Sequence, residues 1–211
     1  MAKVKKVKEF IQTSGVIGVD ESYEETGLSL SIDGTVITAL SVKEKGHWEM
    51  RKKVREEIVH LHELFTAKTR KADNCCIVFE RIRQFSHCFI SMPYIVGMSY
   101  LNAYVLDAGY FLGLKAYSID TRAWKSAVLG SSKKVQNKYG VAEEKFLALN
   151  YCMQNGLKQF VAEEVTNNKR PPKGAFEKEG KLWHFNDNIA DAICISLSPW
   201  FASPEAFKLE L

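Results

Sequence analysis

Two apolar stretches of this 211-residue chain each end in a carboxylate. Residues 16–19 lead directly to Asp20, and residues 75–79 lead directly to Glu80. An uninterrupted apolar run is typical of a strand that is buried on both faces, and an acid at its end lies at the edge of a sheet. Asp20 and Glu80 are therefore candidate members of one site.

A further pair of carboxylates lies near the C-terminus. Asp187 and Asp191 are four residues apart in a segment with apolar residues at helical spacing, so we expect them to share a helix face. Unpaired carboxylates are costly to bury, and all-oxygen ligands favour Mg²⁺ or Mn²⁺. Two ions about 4 Å apart could activate a water and stabilise the leaving oxygen in phosphodiester hydrolysis. The pattern therefore predicts metal-dependent chemistry.

The elements that would position these acids follow one another in an order typical of an α/β fold. Alternating apolar and polar residues on either side of an Asp33-Gly34 turn predict an antiparallel meander of strands. Asp120 is a candidate N-cap of a helix. The predicted strands comprise residues 16–20, 27–32, 35–40, 75–79 and 115–119, and the predicted helices comprise residues 47–72, 91–112, 121–128, 143–154 and 186–200. We therefore expect a five-stranded mixed sheet flanked by helices in one domain, residues 1–211.

Composition argues against a disulfide-stabilised protein, a secreted protein and a membrane-spanning protein. The chain is 46% hydrophobic and 26% charged, with a net charge of +4, which fits a soluble domain with one core. Its five cysteines contain no Cys-x-x-Cys pair, so we expect reduced core residues in a cytoplasmic protein. Residues 1–14 are predicted to form a basic arm, and they show no signal-sequence pattern. Residues 166–181 are predicted to form a basic loop. The sequence has no run of 18 apolar residues, so no membrane-spanning helix is predicted.

The order of these segments resembles a known family. The resemblance covers residues 16–197 and rests on Ile17-Gly18-Val19-Asp20 followed by Thr26-Gly27, on Val78-Phe79-Glu80, on residues 119–130 with the lysine-rich loop after them, and on Asp187-Asn188-Ile189-Ala190-Asp191-Ala192. Together these resemble the RuvC family of Holliday junction resolvases, and most closely its bacteriophage-type members. The resemblance implies a ribonuclease H-like fold, a homodimer, and symmetric nicking of four-way DNA junctions with two Mg²⁺ or Mn²⁺ ions.

The resemblance also implies roles for individual residues. Asp20 would be shared between both metals, Glu80 would be the ligand from the fourth strand, and Asp191 would be the main ligand from the helix. The family has a further acid, or in some members His, three residues before the last one, and this chain has Asn188 there. Asn can offer a carbonyl oxygen but no charge. Either Asp187 takes this place or the second metal is held more weakly.

Basic and aromatic residues are the candidate DNA contacts. Lys133, Lys134 and Lys138 occupy the region where the family carries a functional lysine, and Lys138 is a candidate catalytic residue as well. The candidate DNA-binding residues are Arg81, Arg83, Phe85, Lys125, Lys133, Lys134 and Lys138. Phe85 could wedge against unstacked bases, although a core or dimer-interface role is equally compatible with an aromatic at that position. The loop lysines could equally form a solvated surface.

Four functions are compatible with the pattern. The first is a junction resolvase, located in the host cytoplasm if the chain is phage-encoded and dimerising through the helix at 91–112. The second is another ribonuclease H-like nuclease that acts on RNA:DNA hybrids or in strand transfer. The third is a nucleotide-binding fragment of the actin and sugar-kinase type, and the fourth is a junction-binding protein that Asn188 has weakened as a catalyst.

Overall fold

Antiparallel and parallel pairing meet at the strand that carries Asp20. The computed structural model describes residues 13–22, 24–81, 92–130, 143–165, 176–178 and 180–211. Its strands are β1 (Gly15–Asp20), β2 (Thr26–Ile32), β3 (Thr35–Val42), β4 (Cys75–Glu80), β5 (Lys115–Ile119), β6 (Ala162–Glu164), β7 (Phe176–Lys178), β8 (Lys181–Phe185) and β9 (Phe207–Leu209). The main sheet has the order β3-β2-β1-β4-β5-β9.

Pairing in this sheet brings the ends of three strands to one edge. β1 pairs antiparallel with β2 and parallel with β4, and β4 pairs parallel with β5. Asp20 and Glu80 are the last residues of two adjacent parallel strands, so they lie at the same edge of the sheet. The β2–β3 hairpin turns at Asp33 (φ 48°) and Gly34 (φ 77°), and positive φ at both residues is typical of a tight two-residue turn.

Helices cover both faces of the sheet. They are α1 (His47–Thr69), α2 (Met92–Leu112), α3 (Thr121–Leu129), α4 (Glu143–Gln154), α5 (Lys158–Val161) and α6 (Asp187–Phe201). Ile17 and Ile77 face α1 and α2 in one hydrophobic cluster, whereas Val16 and Val78 face α3, α4 and α6 in the other. Successive residues of β1 and β4 thus enter opposite cores, which explains why these strands are apolar throughout.

Two glycines allow α6 to lie directly on β1 and β2. A Cβ atom at Gly18 would be 2.5 Å from the backbone nitrogen of Ser196, and one at Gly27 would overlap the carbonyl of Asn188. Buried hydroxyls complete the contact, because Ser31 Oγ donates to the Ser196 carbonyl at 2.9 Å. The helix that carries Asp187 and Asp191 is therefore fixed against the strand that carries Asp20.

The predicted fold class is confirmed. The structure contains a mixed sheet flanked by helices, and it adds a sixth strand, β9, to the five predicted. The first predicted helix ends at Thr69 and not at residue 72, because Arg70 adopts a left-handed conformation (φ 58°) that closes it. Within the described residues, Cys75, Cys76, Cys152 and Cys194 are free and buried, as expected. No helix in the described ranges is long and apolar enough to cross a membrane.

Part of a second, small sheet lies in the region predicted to be a loop. β8 pairs antiparallel with both β6 and β7, so residues 176–178 and Lys181 are strand residues and the predicted loop at 166–181 is wrong for them. Gly180, which lies within that predicted loop, adopts φ 72° in the hairpin turn between β7 and β8. Residues 166–175 and most of the basic arm (residues 1–12) lie outside the described residues.

The contact at Gly18 can be tested by adding a single methyl group. We expect Gly18→Ala to lower the free energy of unfolding by roughly 1–3 kcal/mol, because neither the strand nor the helix backbone can move away without repacking. Urea denaturation measures the loss. Gly109→Ala is the matched control, since its Cβ would meet the movable side chain of Leu211 at 3.3 Å. Equal stability of both variants would contradict the prediction.

Candidate functional site

Asp20 interacts electrostatically with carboxylates on β4, on α6 and in the segment after β1. Burial raises the pKa of Asp20 well above its ordinary value, and the charges of Asp191, Glu80, Asp187 and Glu21 raise it further. Asp20 is the last residue of β1, Glu80 the last of β4, and Asp187 and Asp191 lie in the first two turns of α6. The structure thus brings the four acids predicted from the sequence into one electrostatically interacting group.

Glu80 is oriented by α3. Thr121 Oγ1 donates to one oxygen of the Glu80 carboxylate, and the fully buried Trp124 donates from Nε1 to the other at 3.0 Å. The predicted cap is present, because the Asp120 carboxylate accepts from the Arg122 backbone at 2.9 Å and starts the helix beside Glu80. Since both oxygens of Glu80 have fixed donors, the carboxylate is held in one orientation.

Asn186 fixes the beginning of α6. Its side-chain oxygen accepts from the Ile189 backbone at 3.0 Å, which is a helix cap. Its amide nitrogen donates to Ser41 at 3.1 Å and to Glu25. Burial raises the pKa of Glu25, but hydrogen bonds from Ser41 and Asn186 and the charge of Lys43 outweigh it and lower the pKa. This network ties the turn before Asp187 to β3 and to the segment between β1 and β2.

Sequence reasoning missed a fifth acid. Glu21 directly follows Asp20 and is only 8% exposed, and burial together with the charge of Glu80 raises its pKa well above the ordinary value. The Asn102 side chain of α2 contacts its carboxylate and donates to it when the amide nitrogen faces the acceptor oxygens. The adjacent pair Asp20-Glu21 was the available signal, but alternation along a strand would direct the second acid away from the first.

Two of the predicted cationic residues, Lys125 and Arg81, lie in the described part of the chain. Lys125 Nζ lies 5.0 Å from the centre of the Trp124 ring, and its charge acts on Cys194, one helical turn beyond Asp191. Arg81 follows Glu80 in the chain and donates from Nε to Ser118 Oγ at 3.2 Å. Thr121, Trp124 and Ser118 were not predicted to contribute, because their partners are more than 35 residues away along the chain.

Other predicted site residues lie outside the described residues. These are Arg83, Phe85, Lys133, Lys134 and Lys138. Asn188 is described and partly buried on α6, with its carbonyl against Gly27. Whether Asp187 or Asn188 is the fourth metal ligand stays a prediction, although only Asp187 contributes charge at Asp20.

The oxygen-only donor set fits a hard divalent cation. Within the described residues, no three His, Cys, Asp or Glu side chains are gathered closely enough to share one ion. Asp20, Glu80, Asp187 and Asp191, with the amide oxygen of Asn188, are the residues that could hold such a cation.

The repulsion at Asp20 predicts a pH-dependent stability difference. Because its pKa is raised in the folded state, the charged form destabilises the fold once the pH exceeds about 3.8, its ordinary value. In the absence of divalent cations, we expect Asp20→Asn to be more stable than the wild type at pH 7, because the amide has no charge that burial and the neighbouring acids would disfavour. The gain should disappear as the pH falls towards 4.

Urea denaturation at several pH values measures this difference. The same isosteric change at the exposed Asp73, Asp73→Asn, is the control, and its effect should not vary in this way. An Asp20→Asn variant that is less stable than the wild type at pH 7 would contradict the predicted repulsion.

Comparison with known proteins gives a likeness in structure. No protein-family model and no curated protein matches the sequence. The structure of Thermus thermophilus RuvC in complex with a Holliday junction substrate is 15% identical, with a TM-score of 0.51 over 87% of this chain and 90% of that one. Another structure of Thermus thermophilus RuvC is 15% identical, with a TM-score of 0.53 over 92% and 99%. The chain therefore has a RuvC-like, ribonuclease H-like fold.

Proposed function

We propose that this protein is a divalent-metal-dependent endonuclease that resolves four-way DNA junctions. The observation that carries the proposal is the electrostatic convergence of Asp191, Glu80 and Asp187 on Asp20 from separate elements. The RuvC-like fold supports it, since one of the similar structures is a RuvC bound to a Holliday junction. The proposal includes the narrower expectation of a bacteriophage-type resolvase.

The acids would hold two Mg²⁺ or Mn²⁺ ions. Asp20 would be the shared ligand, Glu80 and Asp191 the ligands from β4 and α6, and Asp187 or Asn188 the fourth. When bound, the ions would activate a water and stabilise the leaving oxygen in phosphodiester hydrolysis. The protein's own contribution is orientation, because Thr121 and Trp124 hold both oxygens of Glu80 before any substrate binds.

Positive charge next to the acids would bind the DNA backbone. Lys125 lies against Trp124, which donates to the Glu80 carboxylate. Arg81 follows Glu80 in the chain and projects from the opposite face of the strand, where it contacts Ser118. Phosphate contacts of this kind fix the position of the DNA relative to the acids. By resemblance to the family, Arg83, Phe85, Lys133 and Lys134 would contribute further DNA contacts, and Lys138 would act in catalysis.

A second copy of the chain would complete the assembly. The outer face of α2 exposes large aromatic side chains, including Tyr110 (77% exposed) and Phe111 (67%). Arg51 lies 4.5 Å from the centre of the Tyr100 ring, and Arg55 lies 5.4 Å from that of Phe111. Aromatic and arginine side chains are enriched in protein interfaces, so we propose this face as the homodimer contact.

The dimer contact can be tested in solution without DNA. We expect the wild type to sediment as a dimer and Phe111→Glu to sediment as a monomer, because a carboxylate would have to be desolvated in an apolar interface. Phe201→Glu, at an aromatic that is 55% exposed at the end of α6, is the control. A dimer that persists in Phe111→Glu would exclude this face.

The catalytic proposal is tested with a panel of nucleic acids. We expect Mg²⁺-dependent nicking of synthetic four-way junctions in preference to linear duplex, and loss of at least ~100-fold in rate for Asp20→Asn, because one metal ligand is removed. Junction binding by Asp20→Asn should persist. Robust cutting by that variant would reject the proposed mechanism, and preferential cutting of an RNA:DNA hybrid would favour the other ribonuclease H-like function.

The same assay identifies the fourth ligand. If Asn188 occupies the ligand position, Asn188→Asp should increase the cleavage rate and Asp187→Asn should leave it nearly unchanged. If Asp187 is the ligand, Asp187→Asn should reduce the rate and Asn188→Asp should give no gain. Tight junction binding without cleavage in Mn²⁺ would identify a junction-binding protein without nuclease activity.

A further inference from the structure

A buried hydroxyl connects the C-terminal strand to the candidate site. Ser118 on β5 is 1% exposed and lies between two charged side chains. Its Oγ accepts from Arg81 Nε at 3.2 Å and donates to Glu210 Oε1 at 2.6 Å. The three residues form a chain of hydrogen bonds that runs from the residue after β9 to the residue after Glu80.

The backbone fixes both ends of this chain. The Arg81 N–H donates to the Ile119 carbonyl at 2.8 Å, which continues the pairing of β4 with β5 beyond Glu80. The Glu210 N–H donates to the Ala116 carbonyl at 2.9 Å, which continues the pairing of β9 with β5. Arg81 and Glu210 therefore approach Ser118 from opposite sides of one strand.

The Glu210 carboxylate is held as an anion. Although burial raises its pKa, hydrogen bonds from Ser118 and Lys208 and the charges of Lys208 and Arg81 outweigh this effect and lower the pKa. Lys208 Nζ lies 3.1 Å from Oε2, while Oε1 faces Ser118. A negative charge thus lies near the guanidinium of Arg81 and polarises the hydroxyl that orients it.

The hydrogen bond to Ser118 uses one of the five N–H donors of the Arg81 guanidinium. A guanidinium whose Nε–H is engaged still has the N–H groups of both Nη atoms, and these form the planar fork that binds a phosphate. Restricting the long side chain in advance lowers the conformational entropy that is lost on binding. Arg81 is therefore fixed in place at the carboxyl end of β4, on the face of the strand opposite the Glu80 side chain, and its Nη groups can face a phosphate of the substrate.

We propose that Glu210 and Ser118 are positioning residues that orient Arg81 towards a backbone phosphate of branched DNA at the edge of the sheet that carries the acids. The C-terminal strand β9 then belongs to the DNA-binding machinery, although its residues lie on the far side of β5 from Glu80. This inference rests on the proposed function, because it takes DNA as the ligand of the acidic edge.

Salt-dependent junction binding tests the inference in the full-length protein without divalent cations. We expect Glu210→Gln to weaken binding of a four-way junction several-fold and to lower the slope of log affinity against log salt by about 1, the contribution of one phosphate contact. Arg81→Gln should do the same. The double variant should bind no more weakly than Arg81→Gln alone.

The control removes the same charge elsewhere. Glu164→Gln also raises the net charge by one and also removes a lysine partner, Lys181 at 2.8 Å in the small sheet. It should leave the slope unchanged and binding equal or slightly tighter, which is the ordinary effect of losing an acid. If Glu210→Gln behaves like Glu164→Gln, or weakens the Arg81→Gln variant further, the inference is wrong.

Further measurements distinguish a positioning role of Glu210 from a role in folding, and test the inference separately from the proposed substrate. A purely structural role for Glu210 would lower the melting temperature without changing the slope, and Ser118→Ala provides the same test if Glu210→Gln does not fold. If the wild type binds junction and linear duplex equally, the junction-resolving function fails. The slopes of wild type and Glu210→Gln on linear duplex would then still decide whether Glu210 orients Arg81.

Discussion

The contact between α6 and the two strands beneath it is the constraint on which the site depends. At Gly18 and Gly27 the helix backbone occupies the space that side chains would fill, so α6 lies closer to the sheet than ordinary side chains would allow. This depth brings Asp187 and Asp191 within electrostatic range of Asp20. Since the helix contacts the sheet at two points along its length, one on β1 and one on β2, the angle between helix and sheet is fixed as well as the distance.

The side chains that support the acids are neutral donors. Thr121, Trp124 and Asn102 provide hydrogen bonds to Glu80 and Glu21 without cancelling their charge. These donors orient the carboxylates without neutralising them. Much of the negative charge therefore stays available to attract cations. The raised pKa values of Asp20 and Glu21 are the electrostatic cost of this arrangement.

Sequence patterns predicted the parts of the fold that are encoded locally. The apolar runs before Asp20 and Glu80, the Asp33-Gly34 turn and the Asp120 cap each depend on neighbouring residues, and the structure contains all of them. Convergence of the acids followed from the placement of strand ends at one edge of the sheet.

Features that depend on distant pairing were not predictable in this way. The three-residue strands β7 and β9 are too short to show a period, and Gly180 indicates a turn in a hairpin as readily as a loop. The donors to Glu80 come from α3, whose first residue, Thr121, is 41 residues after Glu80 in the sequence. No spacing rule links residues so far apart, so their contact became evident only in the folded chain.

The position of each strand in the sheet also sets how often its residues are released by local opening. β1 has a hydrogen-bonded neighbour on each side, whereas β9 is a three-residue strand that, among the described strands, pairs with β5 alone. Amide hydrogens in β1 should therefore exchange with solvent only in rare, extensive openings, and those of β9 in frequent, small ones. We therefore expect Asp20 to stay anchored in the sheet while the strand that leads to Glu210 opens and closes.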